Sequence, residues 1–250
     1  MDKESQPSDW TNNMDHKKHF TKKNIHDKSL IILFSIALFI IIIFGSFNVM
    51  IFNKDFYYKE YFKNGVYERL SSDPATAKEE AQNVTEDLIK YLRSYDNAPM
   101  THLSSAESGH MKDVRGLIHT MQYIYYGAAL LSIVLFLYCY HKFKDDRYEF
   151  IKILAKTLLY SSIAALIFLV SIFLMCVFYF DSTFTLFHMI FFPQGNWMFD
   201  SSTMLITLFP QQFFFDISLR IFIYAIFQAA IFFGIGYWIN KQLKTYEKHH

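Results

Sequence analysis

Four stretches of the chain are apolar on every face, and the segments between them are polar or punctuated by aromatic residues. Residues 29–52 (SLIILFSIALFIIIIFGSFNVMIF) carry no charge. Residues 116–140 run from GLIHTMQY to FLYCY; residues 153–180 hold one charge, Lys156, and residues 218–239 hold one, Arg220, each near its start. Each stretch reaches the roughly 20 residues needed to cross a hydrocarbon core. Soluble helices are rarely apolar all round for so long. The pattern predicts a mainly α, polytopic membrane protein with four transmembrane helices at 29–52, 116–140, 153–180 and 218–239. The first stretch is longer than the roughly 7–15-residue core of a signal peptide, and no small-x-small site follows it, so it reads as a retained anchor.

The segments between the spans set the orientation. The tail at 1–28 carries Lys17, Lys18, Lys22, Lys23 and Lys28; the short loop at 141–152 holds Lys142, Lys144 and Arg147; the tail at 240–250 holds Lys241, Lys244 and Lys248. Residues 181–217 contain neither Lys nor Arg. By the positive-inside rule both termini are cytoplasmic, and 53–115 and 181–217 face outward. Together these outer loops would build a small extracytoplasmic cap, too short for an independent domain with a large core.

Within the first outer loop, FYYKEYF at 56–62 reads as a strand or an interfacial helix. Asp73-Pro74 is a helix start, with Pro at the first position. Thr85, followed by Glu86 and Asp87, reads as a second start. Val84, Leu88, Leu92 and Tyr95 recur at helical spacing, which predicts a helix over 75–95 with one buried face. Pro193, Gly195 and Pro210 break the second outer loop into short pieces, and its Phe and Trp residues suit the membrane interface.

Composition narrows the chemistry. The 250 residues are 52% hydrophobic, with 28 Phe, 17 Tyr and a net charge of +1, so bulk electrostatics does not point to nucleic acid. Cys139 and Cys176 lie in different spans at different depths, too far apart for a disulfide. His16, His19 and His26 sit among the N-terminal lysines, where they would contact metal or anionic lipid, or belong to a disordered tail that sets topology. No HExxH, GxSxG, paired CxxC or Gly-rich phosphate loop is present, which argues against a HExxH zinc protease or a serine hydrolase.

Two outer histidines remain. His188 stands at the centre of FTLFHMIFF (184–192), where desolvation favours the neutral ring. His110 lies in SGHMKDVR (108–115), just before the second span. Asp113 is three residues on, one helical turn away, where a carboxylate can orient the imidazole and raise its basicity. Arg115 is close enough to bind a phosphate or to pair with Asp113. Two lone histidines at one lipid–water boundary suggest acid–base chemistry on a lipid. His102 in a polar loop reads as solvated, and His119, a turn into the second span, as an interhelical hydrogen-bond partner.

Three blocks carry a family resemblance: NVTEDLIKYL at 83–92, HMKDV at 110–114, and FHMIFFPQGNWMFDSSTMLITLFPQQFF at 187–214, with its FH, W-x-F-D and LFP-x-x-FF elements in order. With the four-span layout they make the chain resemble the lipoprotein intramolecular transacylases, bacterial integral membrane enzymes, over most of residues 29–240. Ser201, Met204 and Gln211 stand where the resemblance would lead one to expect a proline and two acidic residues. What the resemblance implies is an acyltransferase of the bacterial cell membrane that requires no cofactor, metal or nucleotide. Its partners would be membrane lipid and diacylglyceryl lipoproteins, whose sn-2 acyl chain it would move to the amine of the N-terminal cysteine, giving the lyso-form. His110 and His188 become the catalytic pair, with His110 the base that activates the amine and His188 orienting the ester or protonating the leaving oxygen. Asp113, Arg115, Trp197 and Asp200 become supporting residues.

Two other readings compete. One is a non-catalytic four-helix scaffold or sensor that binds a partner through its outer loops, with pH-responsive histidines. The other is a metal-dependent hydrolase using His102, His110, His188 and Asp113, for which the spacing gives no support.

Overall fold

The structure is a computed structural model that describes residues 9–95 and 100–249, with side chains described from 27 to 248. His16, His19, His26, His249 and His250 therefore lie outside the described side chains or residues. Every described element is helical: α1 (Asp9–Ile51), α2 (Lys54–Lys63), α3 (Val66–Leu70), α4 (Pro74–Arg93), α5 (Ser105–Lys142), α6 (Arg147–Phe178), α7 (Phe180–Phe191), α8 (Met204–Leu208) and α9 (Gln211–His249). Four of them, α1, α5, α6 and α9, are long and apolar enough to cross a membrane. The protein is a multi-pass membrane protein.

The long helices overrun the apolar stretches at their ends. No Pro or Gly interrupts residues 9–44, and α1 begins at Asp9. Helix α5 has 38 residues. At about 1.5 Å per residue it is nearly twice the roughly 30 Å of hydrocarbon. Its first turns, with His110, therefore stand beyond the apolar stretch 116–140.

Helix α1 packs against α5, α6 and α9, and α6 against α9. Small residues allow the close approaches: Ala155, Ala165, Ala225 and Ala229 are fully buried. A Cβ on Gly236 of α9 would meet the Leu159 backbone nitrogen at 3.0 Å and the Ala155 carbonyl at 3.1 Å. Without a hydrophobic drive between helices in lipid, such backbone contact supplies much of the packing.

The short helices gather at the end of the bundle where α1 finishes and α5 and α9 begin. Tyr57, Tyr61, Leu88, Met111, Leu208 and Phe213 share one buried cluster there, so these helices and the spans form a single core. Lys63 Nζ donates to Asp216 Oδ2 at 2.7 Å, tying α2 to α9. Gly65, at φ 63°, takes the left-handed turn from α2 into α3, a conformation costly for any residue with a Cβ.

Residues 56–62 lie in the helix α2, not in a strand. Asp73 caps α4 as expected, its carboxylate accepting from the Thr76 amide at 2.9 Å. Thr85 starts no second helix. It is buried mid-α4, donates to the Ala81 carbonyl at 2.6 Å and pairs with the Tyr61 hydroxyl at 2.8 Å. A threonine that returns its hydroxyl to the preceding turn satisfies itself without ending the helix. Val84, Leu88 and Leu92 are buried on one face, whereas Tyr95 lies past the helix end and is exposed.

Candidate active site

His110 and His188 meet. Their rings are 6.2 Å apart between centroids and nearly parallel, at 25°. His110 comes from the third helical position after the capping box of α5, in which Ser104 and Glu107 bond each other's backbone amides. His188 is the one described residue of α7 that is buried, on a helix otherwise turned outward. Helix α6 ends at Phe178 and α7 begins two residues later. Beyond that break His188 faces His110 of α5.

An aromatic shell closes over the pair. Phe184 and Trp197 lie 4.2 and 4.7 Å from the His188 ring, and Phe192 and Phe199 lie 4.8 and 5.7 Å from the His110 ring. Gly195, at φ 77°, makes the turn that brings the 194–197 segment onto the histidines.

The His188 tautomer follows from its partner. Nδ1 lies 2.8 Å from the Phe184 carbonyl. A carbonyl only accepts, so Nδ1 carries the proton and Nε2 keeps its lone pair. Burial holds the His188 pKa below the ordinary histidine value, against the opposing bond to Phe184. Burial also lowers that of His110, and the nearby His188 adds to the effect, while Asn196 and Asp113 act in the opposite direction. Both rings are therefore neutral near pH 7, as a proton acceptor must be.

Asp113 bonds the turn at 194–196 rather than His110. Its Oδ2 accepts from Gln194 Nε2 and from Asn196 Nδ2, each at 2.7 Å. Arg115 is buried with its guanidinium 4.2 Å above the Tyr91 ring, fastening α4 to α5. Trp197 covers His188. Asp200 is exposed and makes a turn, its Oδ1 accepting from the Ser202 amide and hydroxyl at 2.9 and 2.8 Å. The structure thus brings His110, His188, Asp113 and Trp197 together, whereas Arg115 packs on Tyr91 and Asp200 serves its own turn. His119 joins its Nε2 to the Leu92 carbonyl at 2.9 Å, the interhelical bond expected of it. His102 stands 3.7 Å from Asp87. Among the described residues no three His, Cys, Asp or Glu side chains come together as a metal-binding group.

Three contributors escaped the sequence reading. Asn196 and Phe199 belong to the turn, and nothing in their spacing announces an approach to His110, so distant along the chain. Glu107 did have a signal, the Ser-x-x-Glu spacing of a capping box. It is also a strut: its Oε1 accepts from the Leu205 amide at 2.8 Å, joining α5 to α8. Burial works against its charge, but bonds from Leu205 and Ser104 prevail and lower its pKa.

The family model described as lipoprotein intramolecular transacylase Lit matches residues 32–214. The chain belongs to this transacylase family. Solved structures similar to it include the membrane integral lipoprotein intramolecular transacylase Lit from Bacillus cereus, at 20% identity and a TM-score of 0.76, covering 89% of this chain and 99% of that one. Two variants of the same Bacillus protein, with one histidine replaced by arginine or by alanine, each align at 19% identity and a TM-score of 0.73. They cover 92% and 91% of this chain and 99% of their own. At such identities the likeness establishes the transacylase fold. No curated protein matches the chain. The histidine pair lies inside the matched region, and the polar tail at 1–28 lies outside it.

Proposed function

We propose that the protein carries out intramolecular O-to-N acyl transfer on diacylglyceryl lipoproteins. The sn-2 acyl chain would pass to the α-amine of the N-terminal cysteine, leaving a lyso-form lipoprotein. The observation that carries this reading is the pair of buried, neutral imidazoles 6.2 Å apart under an aromatic cover, in a chain of the transacylase family.

The proton balance suits two bases. One imidazole, His110, removes a proton from the substrate ammonium. The freed amine attacks the sn-2 ester carbon, and His188, whose Nε2 is unprotonated, takes a second proton as the C–N bond forms. The C–O bond to glycerol then breaks, and the His188 imidazolium returns its proton to the departing oxygen. One proton is left on His110 for release to solvent. His188 protonates the leaving oxygen only after first accepting that proton, because its resting Nδ1–H is committed to Phe184. Holding amine and ester in contact supplies much of the remaining acceleration. A cleft of about 380 Å³ lined by Phe180, Asp181, Gln211, Gln212 and Phe215 lies two turns before His188 on α7. No metal or nucleotide enters this scheme, so a chelator is expected to leave the rate unchanged.

The Lys and Arg distribution supports an extracytoplasmic site with both termini cytoplasmic. The deciding experiment expresses the protein in a bacterial host lacking lipoprotein N-acylation and reads a lipoprotein N-terminal peptide by mass spectrometry. One acyl group on nitrogen and one on glycerol is the expected product. An unchanged diacylglyceryl peptide would return the chain to the scaffold reading.

A further inference from the structure

The geometry points to Asn196 as the residue that positions His110, by bridging its imidazole to Asp113. The amide nitrogen of Asn196 is anchored on Asp113 Oδ2 at 2.7 Å, and its amide oxygen takes the Nδ1–H of His110. The Nε2 of His110 is thereby left unprotonated, like that of His188. This assignment rests on the transacylase reading for its consequence in catalysis, but not for its geometry.

Two buried atoms motivate it. His110 Nδ1 and Asn196 Oδ1 are each buried without a hydrogen-bond partner. A buried polar atom left unpaired costs free energy, and these two are complementary, one a possible donor and the other an acceptor. Asn196 stands close enough to the ring to favour its charged form, as an acceptor there would. The amide cannot be turned the other way, because its oxygen would then face the Asp113 carboxylate, acceptor against acceptor. Asp113 therefore dictates which end of Asn196 meets His110. Gln194 donates to the same carboxylate oxygen, and Gly195 between them makes the left-handed turn that lets both amides converge. The charged and titratable groups around His110 are accounted for: His188 from α7, Asp113 from α5, and Glu107 one turn back on α5, whose carboxylate is engaged by Leu205 and Ser104.

The interposed amide has a chemical consequence. A carboxylate bonded directly to His110 would favour the imidazolium at neutral pH, and a protonated ring cannot accept a proton from the substrate. Asn196 passes on the orientation while keeping the charge a residue away.

The test uses the full chain in detergent with nitrogen-15-labelled histidine, the His110 resonances being identified by their loss in His110→Gln. In the wild type His110 is expected to carry its proton on Nδ1. Asn196→Ala should mix the tautomers, lower the His110 titration midpoint further, and slow lyso-lipoprotein formation by about 10–100-fold, the usual cost of removing such an outer partner. Asn196→Asp, which puts a carboxylate directly on the ring, should move the midpoint up. A residue that merely holds the loop would shift both variants the same way. A wild-type proton on Nε2, an unchanged midpoint in a folded Asn196→Ala, or a downward shift in Asn196→Asp would each overturn the assignment. If Asn196→Ala does not fold, the wild-type tautomer and the Asn196→Asp shift still decide it. Wild-type protein without transacylation but with the expected tautomer would remove the proposed function and leave the bridge standing.

Discussion

At the scale of single residues, His110 and His188 differ in how each is held. His188 is fixed by its own helix, through the Phe184 carbonyl one turn back, whereas His110 depends on a turn from elsewhere in the chain. Both pKa values are depressed, chiefly by burial. A depressed histidine binds fewer protons folded than unfolded, so its contribution to stability is complete above the ordinary value of about 6.5 and declines as pH falls through the folded value. NMR titration should therefore place both midpoints below the ordinary histidine value of about 6.5; a midpoint above it for either ring would contradict the neutral-base scheme. His110→Ala and His188→Ala should each lower lyso-lipoprotein formation by about 10²–10⁴-fold. The double variant should be little worse than the poorer single, since groups acting as one unit are not additive. Mass spectrometry of the lipoprotein peptide measures all three, and near-normal product from both folded single variants would end the assignment.

At the scale of elements, the site depends on how α5 and α8 are joined. Leu205 is buried, and its amide is bonded to Glu107. Glu107→Ala leaves that N–H without its carboxylate in an apolar setting and removes the capping box of α5, a loss of about 1–3 kcal/mol for the unpaired group alone. Glu107→Gln, which keeps an acceptor, should be milder. Thermal unfolding in detergent distinguishes them, and equal midpoints for the two variants would mean the strut carries nothing. Much at this scale was legible from local signals. Asp73-Pro74 announced the start of α4, and the Val84, Leu88, Leu92 spacing announced its buried face. Thr85 misled because a capping residue and a buried threonine look alike until the partner, here Tyr61, is known.

At the scale of the whole molecule, the bundle relies on small residues where α6 meets α9. Gly236→Val would drive a side chain into the α6 backbone at Ala155 and Leu159. Overpacking of this kind typically costs about 1–3 kcal/mol. A lowered unfolding temperature is expected, and an unchanged one would mean the helices separate without cost. Orientation is tested separately. Lys78→Cys and Ser201→Cys, both at exposed positions, should react with an impermeant thiol reagent on intact cells. Labelling of either only after permeabilisation would invert the arrangement.

The four spans followed from the sequence alone, because a helix in hydrocarbon must be apolar on every side and that requirement is written residue by residue. The two histidines also stood out, His188 as a lone imidazole in an aromatic run and His110 beside Asp113 just before a span. Their meeting was decided by the tertiary structure. His110 and His188 are brought together by the break between α6 and α7 and by the turn at Gly195. The same turn set Asn196 on Asp113, and the fold placed the Arg115 guanidinium over the Tyr91 ring and Asp200 in an exposed turn. Those outcomes depend on contacts between residues far apart in the chain, and spacing along the chain carries no record of which distant side chain will arrive.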